Sequence, residues 1–192
     1  PTFKGEDGLK RCFWCASDSI YIDYHDNEWG RPVIDDIKLY EKLCLEGFQA
    51  GLSWITILRK REAFRTAFKD FDPIKVARFN DKNIERLMNN EGIVRNRAKI
   101  EATIGNAKAT LRVQQEVGSL SKLIWSFAPI KPGKAPKTFG DLPASTPESH
   151  ALSKELLKRG FKFVGPTTMY AAMQSLGLVN DHFANCHARH TA

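Results

Sequence analysis

The 192-residue chain has no apolar run of membrane-spanning length, since charges break its longest hydrophobic stretches well short of the roughly 20 residues a span requires. No charged-then-apolar secretion signal opens it, so the expectation is a soluble cytoplasmic protein with no membrane partner. Cysteine is sparse, at four residues, and disulfides are not needed: a chain of this length with 42% hydrophobic content buries one sizeable core, or two small lobes around a cleft. Apolar–polar alternation is missing, so no strand is expected, and neither an internal repeat nor a low-complexity tract is present. Acidic residues are the minority, 22 against 29 Lys and Arg. The resulting net charge of +7 and pI near 9.3 suit a polyanionic partner without requiring one.

The basic residues are clustered: Arg59, Lys60 and Arg61; Arg95, Arg97 and Lys99; Lys131, Lys134 and Lys137; Lys154, Lys158, Arg159 and Lys162. Each cluster reads either as a solvated face or as a contact for a polyanion. Helical periodicity covers 36–47, 53–69, 73–79, 81–89, 94–117, 120–126, 148–158 and 167–176, several of these opened by Asp, Ser or Thr at a plausible N-cap. Between them, the prolines and glycines of APIKPGKAPKTFGDLPAST, residues 128–146, forbid a regular element for most of its length. That segment is expected to be a linker between lobes or a surface loop.

One carboxylate is out of place. A helix begun near Asp36 puts Leu39, Leu43, Glu46 and Ala50 on one face, so Glu46 points where a core residue should. Burying a carboxylate without a partner costs several kcal/mol at least, so such a residue is paired, protonated or waiting for a ligand.

Three further constellations carry chemistry. Cys12, Cys15 and His25 near the start, and His182, Cys186, His187 and His190 near the end, are metal-type residues. The Cys12/Cys15 and His182/Cys186 spacings resemble zinc ligand pairs, with isolated buried thiols and surface histidines as the alternative. Trp14, Tyr21, Tyr24 and Trp29 crowd a stretch too polar for an ordinary core helix, and Trp54 follows the Glu46 helix. Flat aromatic walls with one carboxylate suit a planar, electron-poor heterocycle, although such clusters also serve as core. In LLKRGFKFVGPTTMYAAM, residues 156–173, a turn with Gly160 and Gly165 lies between two helices. The start of the second helix directs free backbone N–H groups outward, an arrangement able to hold a phosphate or simply a tight turn.

The blocks RCFWCASDSIYIDYHDNEWGRPV, LCLEGFQAGLSWITILRKRE, GIVRNRAKIEATIGNA, WSF and ALSKELLKRGFKFVGPTTMYAAMQSLGLVNDH, with the terminal Cys186, resemble in order the bacterial 3-methyladenine DNA glycosylase I family. That family belongs to the helix-hairpin-helix glycosylase superfamily. The resemblance runs from about Arg11 to Cys186. It implies an all-α, two-lobed fold with DNA crossing the cleft, a single glycosylase unit over 1–192, and a helix-hairpin-helix element at about 150–176 that places GFKFVG at the hairpin. It also implies a structural zinc held by Cys12, His25, His182 and Cys186, with Cys15 spare, clasping the two ends of the chain.

By the same resemblance, Glu46 reads the edge of the base that carries the exocyclic amine, with Tyr24 beside it, while Trp14, Tyr21 and Trp54 form the pocket walls. Gly51 and Leu52 fill the space left by the extruded nucleotide, and Gly160, Lys162, Gly165 and Thr167 of the hairpin meet the DNA backbone. The expected partners are double-stranded DNA carrying an alkylated base and free 3-methyladenine as product, and the expected state is a monomer. The resemblance also implies that the catalytic Asp usual in the superfamily is missing and not restored by VNDH, whose Asp181 lies beside the implied zinc ligand His182. Phe48 departs from the family's polar residue, through either packing or an altered pocket margin. A non-catalytic, zinc-stabilised DNA-binding module is the rival reading, though it has no use for Glu46 among aromatics. A glycosylase of wider alkylpurine range is a further one.

Overall fold

The computed structural model describes residues 1–16 and 18–190. Its first element corrects the expectation of a strand-free chain. β1 (Thr2–Lys4) and β2 (Lys10–Cys12) pair antiparallel with Phe3 opposite Arg11. Three residues per strand are too few to show alternation, and the pairing is set by the turn: Gly8 takes a φ of +80° and the Asp7 carboxylate accepts from the Leu9 N–H. A second correction is α1 (Ser19–Asn27), outside the stretches of helical periodicity and within the aromatic segment that read as too polar for an ordinary core helix. The Asp18 side chain caps it by accepting from the Ile20 N–H, and its buried residues are Tyr24 and His25 rather than aliphatics.

The remaining helices follow the periodicity closely: α2 (Asp36–Gln49), α3 (Trp54–Ala67), α4 (Pro73–Val76), α5 (Asp81–Met88), α6 (Arg97–Val117), α7 (Leu120–Trp125), α8 (Pro147–Lys158) and α9 (Pro166–Ser175). α2 is the central element, packed against α3, α6, α7 and α9. Asp35 caps it, and the neighbouring Asp36 carboxylate accepts from the backbone of Leu120 and Ser121 and from Gln114, fixing α2 to the start of α7. Apart from Lys42, every residue from Leu39 to Phe48 is buried. At the far end, nearly buried Lys99 of α6 donates from Nζ to the carbonyls of Phe48 (2.9 Å) and Ala50 (2.6 Å), which satisfies two carbonyls left open at the end of α2.

Phe48 packs against Phe64 with ring centroids 4.6 Å apart and joins Phe68 and Phe71 in a fully buried aromatic series, so its side chain is part of the core. One hydrophobic cluster runs from Tyr24 to Leu178, and a smaller one gathers Cys12, Phe183, Cys186 and Ala188. Segment 128–146 lies on the surface and is irregular except for a 3₁₀ turn at Phe139–Asp141. It is tied down where Phe139 packs edge-on against Phe13 and Phe183, and where the Ala184 N–H donates to the Pro136 carbonyl. Among the described residues, no helix is long and apolar enough to cross a membrane.

Candidate functional site

α1, the C-terminal half of α2 and the first residue of α3 enclose a cavity of about 230 Å³. Its walls are Trp14, Tyr21, Tyr24 and Trp29 on one side and Glu46, Gln49 and Trp54 on the other, with Leu142, Ala171, Gln174 and Asp181 completing it. All five residues assigned by sequence to base binding therefore converge. The rings support each other at centroid separations of 4.9 Å (Trp14 to Tyr21), 5.1 Å (Trp14 to Trp29) and 5.6 Å (Tyr24 to Trp54). Burial, and then the Tyr24 neighbour, push Tyr21 up to about 12, and burial drives Tyr24 further above its ordinary value, so both phenols are neutral at physiological pH. The indole N–H of Trp54 is buried and has no hydrogen-bond partner among the described residues, an orphaned donor on the cavity wall.

Glu46 is 5% exposed, and its partner is Lys42, one turn earlier on the same helix, at 2.9 Å. The same ammonium donates to the Tyr24 hydroxyl at 2.8 Å and lies 3.5 Å from the Trp54 ring centroid. Sequence reasoning missed this lysine, although its signal was available: it stands four residues before Glu46 on the same helix face. Beyond Tyr24 and Trp54 lies a second cavity, about 360 Å³ and rich in charge. There Arg61 grips Glu28 with two hydrogen bonds of 2.6 and 2.7 Å, and Arg65 pairs with Glu41. Arg61 is thus engaged within the protein rather than free on a basic surface. Asp181 also faces the aromatic cavity, its carboxylate accepting from the Tyr170 hydroxyl and from Gln174.

Cys12, His25, His182 and Cys186 meet, all buried, with their ligand atoms within 4.8 Å of one another. Cys186 Sγ lies 3.3 Å from His25 Nε2 and 3.6 Å from His182 Nδ1, and Cys12 Sγ lies 3.7 Å from His182 Nδ1. A zinc ion with Zn–S of about 2.3 Å and Zn–N of about 2.0–2.1 Å requires S···N edges of about 3.5 Å, so the four residues fit tetrahedral zinc with no position left open. The second nitrogens orient the rings: His25 Nδ1 donates to Asp26 at 2.7 Å and His182 Nε2 to the Trp29 carbonyl at 3.1 Å, which turns both lone pairs inward. Burial pushes the Asp26 carboxyl up, but hydrogen bonds from Arg11, His25 and His187 hold it below the usual carboxylate range. Cys186 is pulled down chiefly by the Cys12 thiol, and Cys12 is pushed up by the same contact and by burial. Cys15 stands outside the set, its thiol donating to the Cys12 carbonyl while burial raises it to about 12.

The remaining expected residues sit on two projections. Gly51, with φ +82°, and the 44% exposed Leu52 form the tip of the turn between α2 and α3. Gly160 (φ +88°), Lys162, Gly165 and Thr167 belong to the turn between α8 and α9 and to the first residues of α9. That turn is braced by Asn106 of α6, which accepts from the Lys162 N–H at 2.8 Å and donates to its carbonyl at 3.1 Å. Lys162 and Thr167 are exposed, and a Cβ added at Gly165 meets nothing within 4 Å, so no contact inside the protein demands glycine there.

Comparison with known proteins gives consistent matches. The methyladenine glycosylase family model matches residues 14–190. DNA-3-methyladenine glycosylase 1 of Escherichia coli (strain K12) is 51% identical over 93% of this chain and 96% of its own length. DNA-3-methyladenine glycosylase of Haemophilus influenzae is 53% identical over 92% and 96%. The structure of 3-methyladenine DNA glycosylase I from Staphylococcus aureus, solved for the basis of 3-methyladenine recognition, superposes with a TM-score of 0.89 at 39% identity, covering 93% of this chain and 96% of that one.

Proposed function

The chain belongs to the methyladenine glycosylase family, and from that premise we propose how its residues perform the family's reaction. The reaction is DNA repair by hydrolysis: the N-glycosidic bond of 3-methyladenine in alkylated DNA is cleaved, releasing the free base and leaving an abasic site. The observation that carries the residue assignment is a carboxylate, Glu46, held on the wall of an aromatic cavity beside an unpartnered indole N–H. The flipped base stacks on Trp14, Tyr21, Tyr24 and Trp54, and Glu46 accepts from its exocyclic amine. Tyr24 contributes its ring, because its hydroxyl is turned to Lys42.

Methylation at N3 makes the adenine cationic, so the glycosidic bond is weakened in advance and the base departs neutral. Positioning, desolvation and stabilisation of an oxocarbenium-like sugar then suffice, without a strong general base. A pocket separates the substrate from unmodified adenine by only about 1–3 kcal/mol for one methyl group, and intrinsic bond lability multiplies that discrimination. The proposed reaction ends at the abasic site, with no lyase step.

Gly51 and Leu52 fill the gap left by the extruded nucleotide. The hairpin, with Gly160, Lys162, Gly165 and Thr167, holds double-stranded DNA by its phosphates in a cleft between two helical lobes. Structural zinc on Cys12, His25, His182 and Cys186 pins the two ends of the chain together; with four protein ligands it supplies folding energy rather than Lewis-acid chemistry. The protein acts as a monomer in the cytoplasm. The test is base release from methylated DNA with the products separated: 3-methyladenine is released by the wild type and not by Glu46→Gln. Release of other alkylpurines at comparable rates would establish the wider range instead.

A further inference from the structure

We propose that Lys42 is an electrostatic positioning residue of the base pocket, tuning it to favour the departing neutral base over the cationic base that enters. This rests on the pocket reading above. The Lys42 ammonium has three N–H donors, and three acceptors surround it: Glu46 Oε1 at 2.9 Å, the Tyr24 hydroxyl at 2.8 Å and the Trp54 ring face at 3.5 Å from the centroid. A neutral amine has only two donors and would turn its lone pair on one of these electron-rich groups. Burial pulls the lysine down from its ordinary value and Glu46 opposes that pull. Lys42 therefore places one positive charge against three walls of the pocket, and it does so from behind, because it lines the charged cavity on the far side of Tyr24 and Trp54.

The chemistry explains why a cation belongs there. In excision the C1′–N9 bond breaks and its electron pair goes to the base, which becomes neutral. C1′ takes the positive charge, then the hydroxyl of a water whose proton goes to solvent. A carboxylate among aromatic rings, acting alone, binds the cationic ground state most tightly and so deepens the well from which the reaction must climb. Lys42 makes the carboxylate pair net neutral and repels a charged base lying across the Trp54 ring. It leaves Glu46 Oε2 without a hydrogen bond among the described residues, available to the exocyclic amine. A neutral base loses nothing by this arrangement.

The experiment compares two probes at pH 8 by tryptophan fluorescence titration: 3-methyladenine, which is neutral there, and 3,9-dimethyladeninium, which keeps its charge. Wild type, Lys42→Met, Lys42→Arg and Glu46→Gln are titrated well below their melting temperatures, with single-turnover excision from methylated DNA alongside. Lys42→Met is expected to bind the cation about tenfold more tightly and the neutral base no more tightly, while excision slows and half-saturation by DNA falls to lower concentration. Lys42→Arg is expected to restore the wild-type ratio. If Lys42→Met weakens both probes equally, or changes neither, while Glu46→Gln weakens both, Lys42 is scaffolding and the inference is overturned on its own. If neither probe perturbs the wild type, or Glu46→Gln binds both as well as wild type does, the pocket reading fails and takes this inference with it.

Discussion

Replacing Glu46 by Gln should cost stability as well as activity, because the carboxylate has a buried counterion. The Glu46 and Lys42 side chains are 5% and 12% exposed, so water does little to compensate whichever charge is left alone. Removing one partner of a buried pair costs about 3–5 kcal/mol. The glutamine amide oxygen still accepts from Lys42, and a typical hydrogen bond recovers about 1 kcal/mol. A net loss of about 2–4 kcal/mol remains. For a domain of this size, each kcal/mol moves the melting temperature by about 2–4 °C, so Glu46→Gln should melt about 4–16 °C below wild type. Lys42→Met should fall at least as far, since it strands the carboxylate. The double variant removes both charges and should be more stable than the summed single losses predict, by about 2 kcal/mol of coupling. It should nevertheless excise far more slowly than wild type, because a neutral amide oxygen accepts from the exocyclic amine more weakly than a carboxylate and brings no charge to the departing base. Thermal melts of the four proteins, with base release measured at low temperature, decide this. Additive losses in the double variant, or a Glu46→Gln protein that melts with wild type, would refute the argument that the pair is a buried electrostatic unit.

Purified protein should contain about one zinc per chain, and a chelator should lower the melting temperature before it slows excision in the cold. Metal analysis showing none, with the four ligands replaceable without loss of stability, would contradict the clasp, and Cys15→Ser should cost only about 1 kcal/mol as its single hydrogen bond changes. At the hairpin, Lys162→Ala should weaken binding to all duplex sequences alike and reduce the salt slope by about one, as filter-binding across a salt series will show. Gly165→Ala should melt as wild type, having open space for its Cβ, and Gly165→Asp should bind duplex more weakly still through its added negative charge. Lys99→Met removes two charge-assisted bonds from the end of α2 and should lose about 2–4 kcal/mol in denaturant unfolding; a loss below 0.5 kcal/mol, on the scale of about ±0.5 kcal/mol typical of surface changes, would show that those carbonyls find water instead.

The long helices were legible because each carries a stripe of aliphatic residues at helical spacing, and Glu46 was conspicuous only as a break in such a stripe. α1 was hidden for the opposite reason. Its buried residues are a tyrosine that lines the aromatic cavity and a histidine in the Cys/His cluster, so the aliphatic pattern that would have announced the helix is absent. The Cys/His cluster was half legible: spacing offered Cys12, His182 and Cys186 together with Cys15, and only the resemblance to a known family selected His25. In three dimensions the reason is plain, for the Cys15 thiol points to the Cys12 carbonyl while His25, one helix later, faces Cys186. Lys42 escaped because a lysine among apolar residues reads as a solvated neighbour. Its burial follows from α1 and α3 closing over it with Tyr24 and Trp54, a long-range packing event that local spacing does not record.

The last four residues of α2 and the turn after it connect all the parts the reaction needs. Glu46 reaches the pocket. At the next residue, Gly47, a Cβ would stand 3.0 Å from that of Phe163, so the hairpin turn rests directly on the helix that carries the carboxylate. Phe163 itself adopts a φ of +57°, an uncommon conformation for a bulky residue, held there by the brace from Asn106 on the adjoining Lys162. Phe48 anchors the helix in the aromatic core, and Ala50 ends it under the Lys99 ammonium, one residue before the projecting Gly51 and Leu52. On the proposed assignments, backbone grip, gap filling and base reading are all fixed to one element rather than to separate loops. If those proposed roles hold, a flipped base arrives at Glu46 with little freedom left to lose, and such proximity is what a reaction lacking a strong general base most requires.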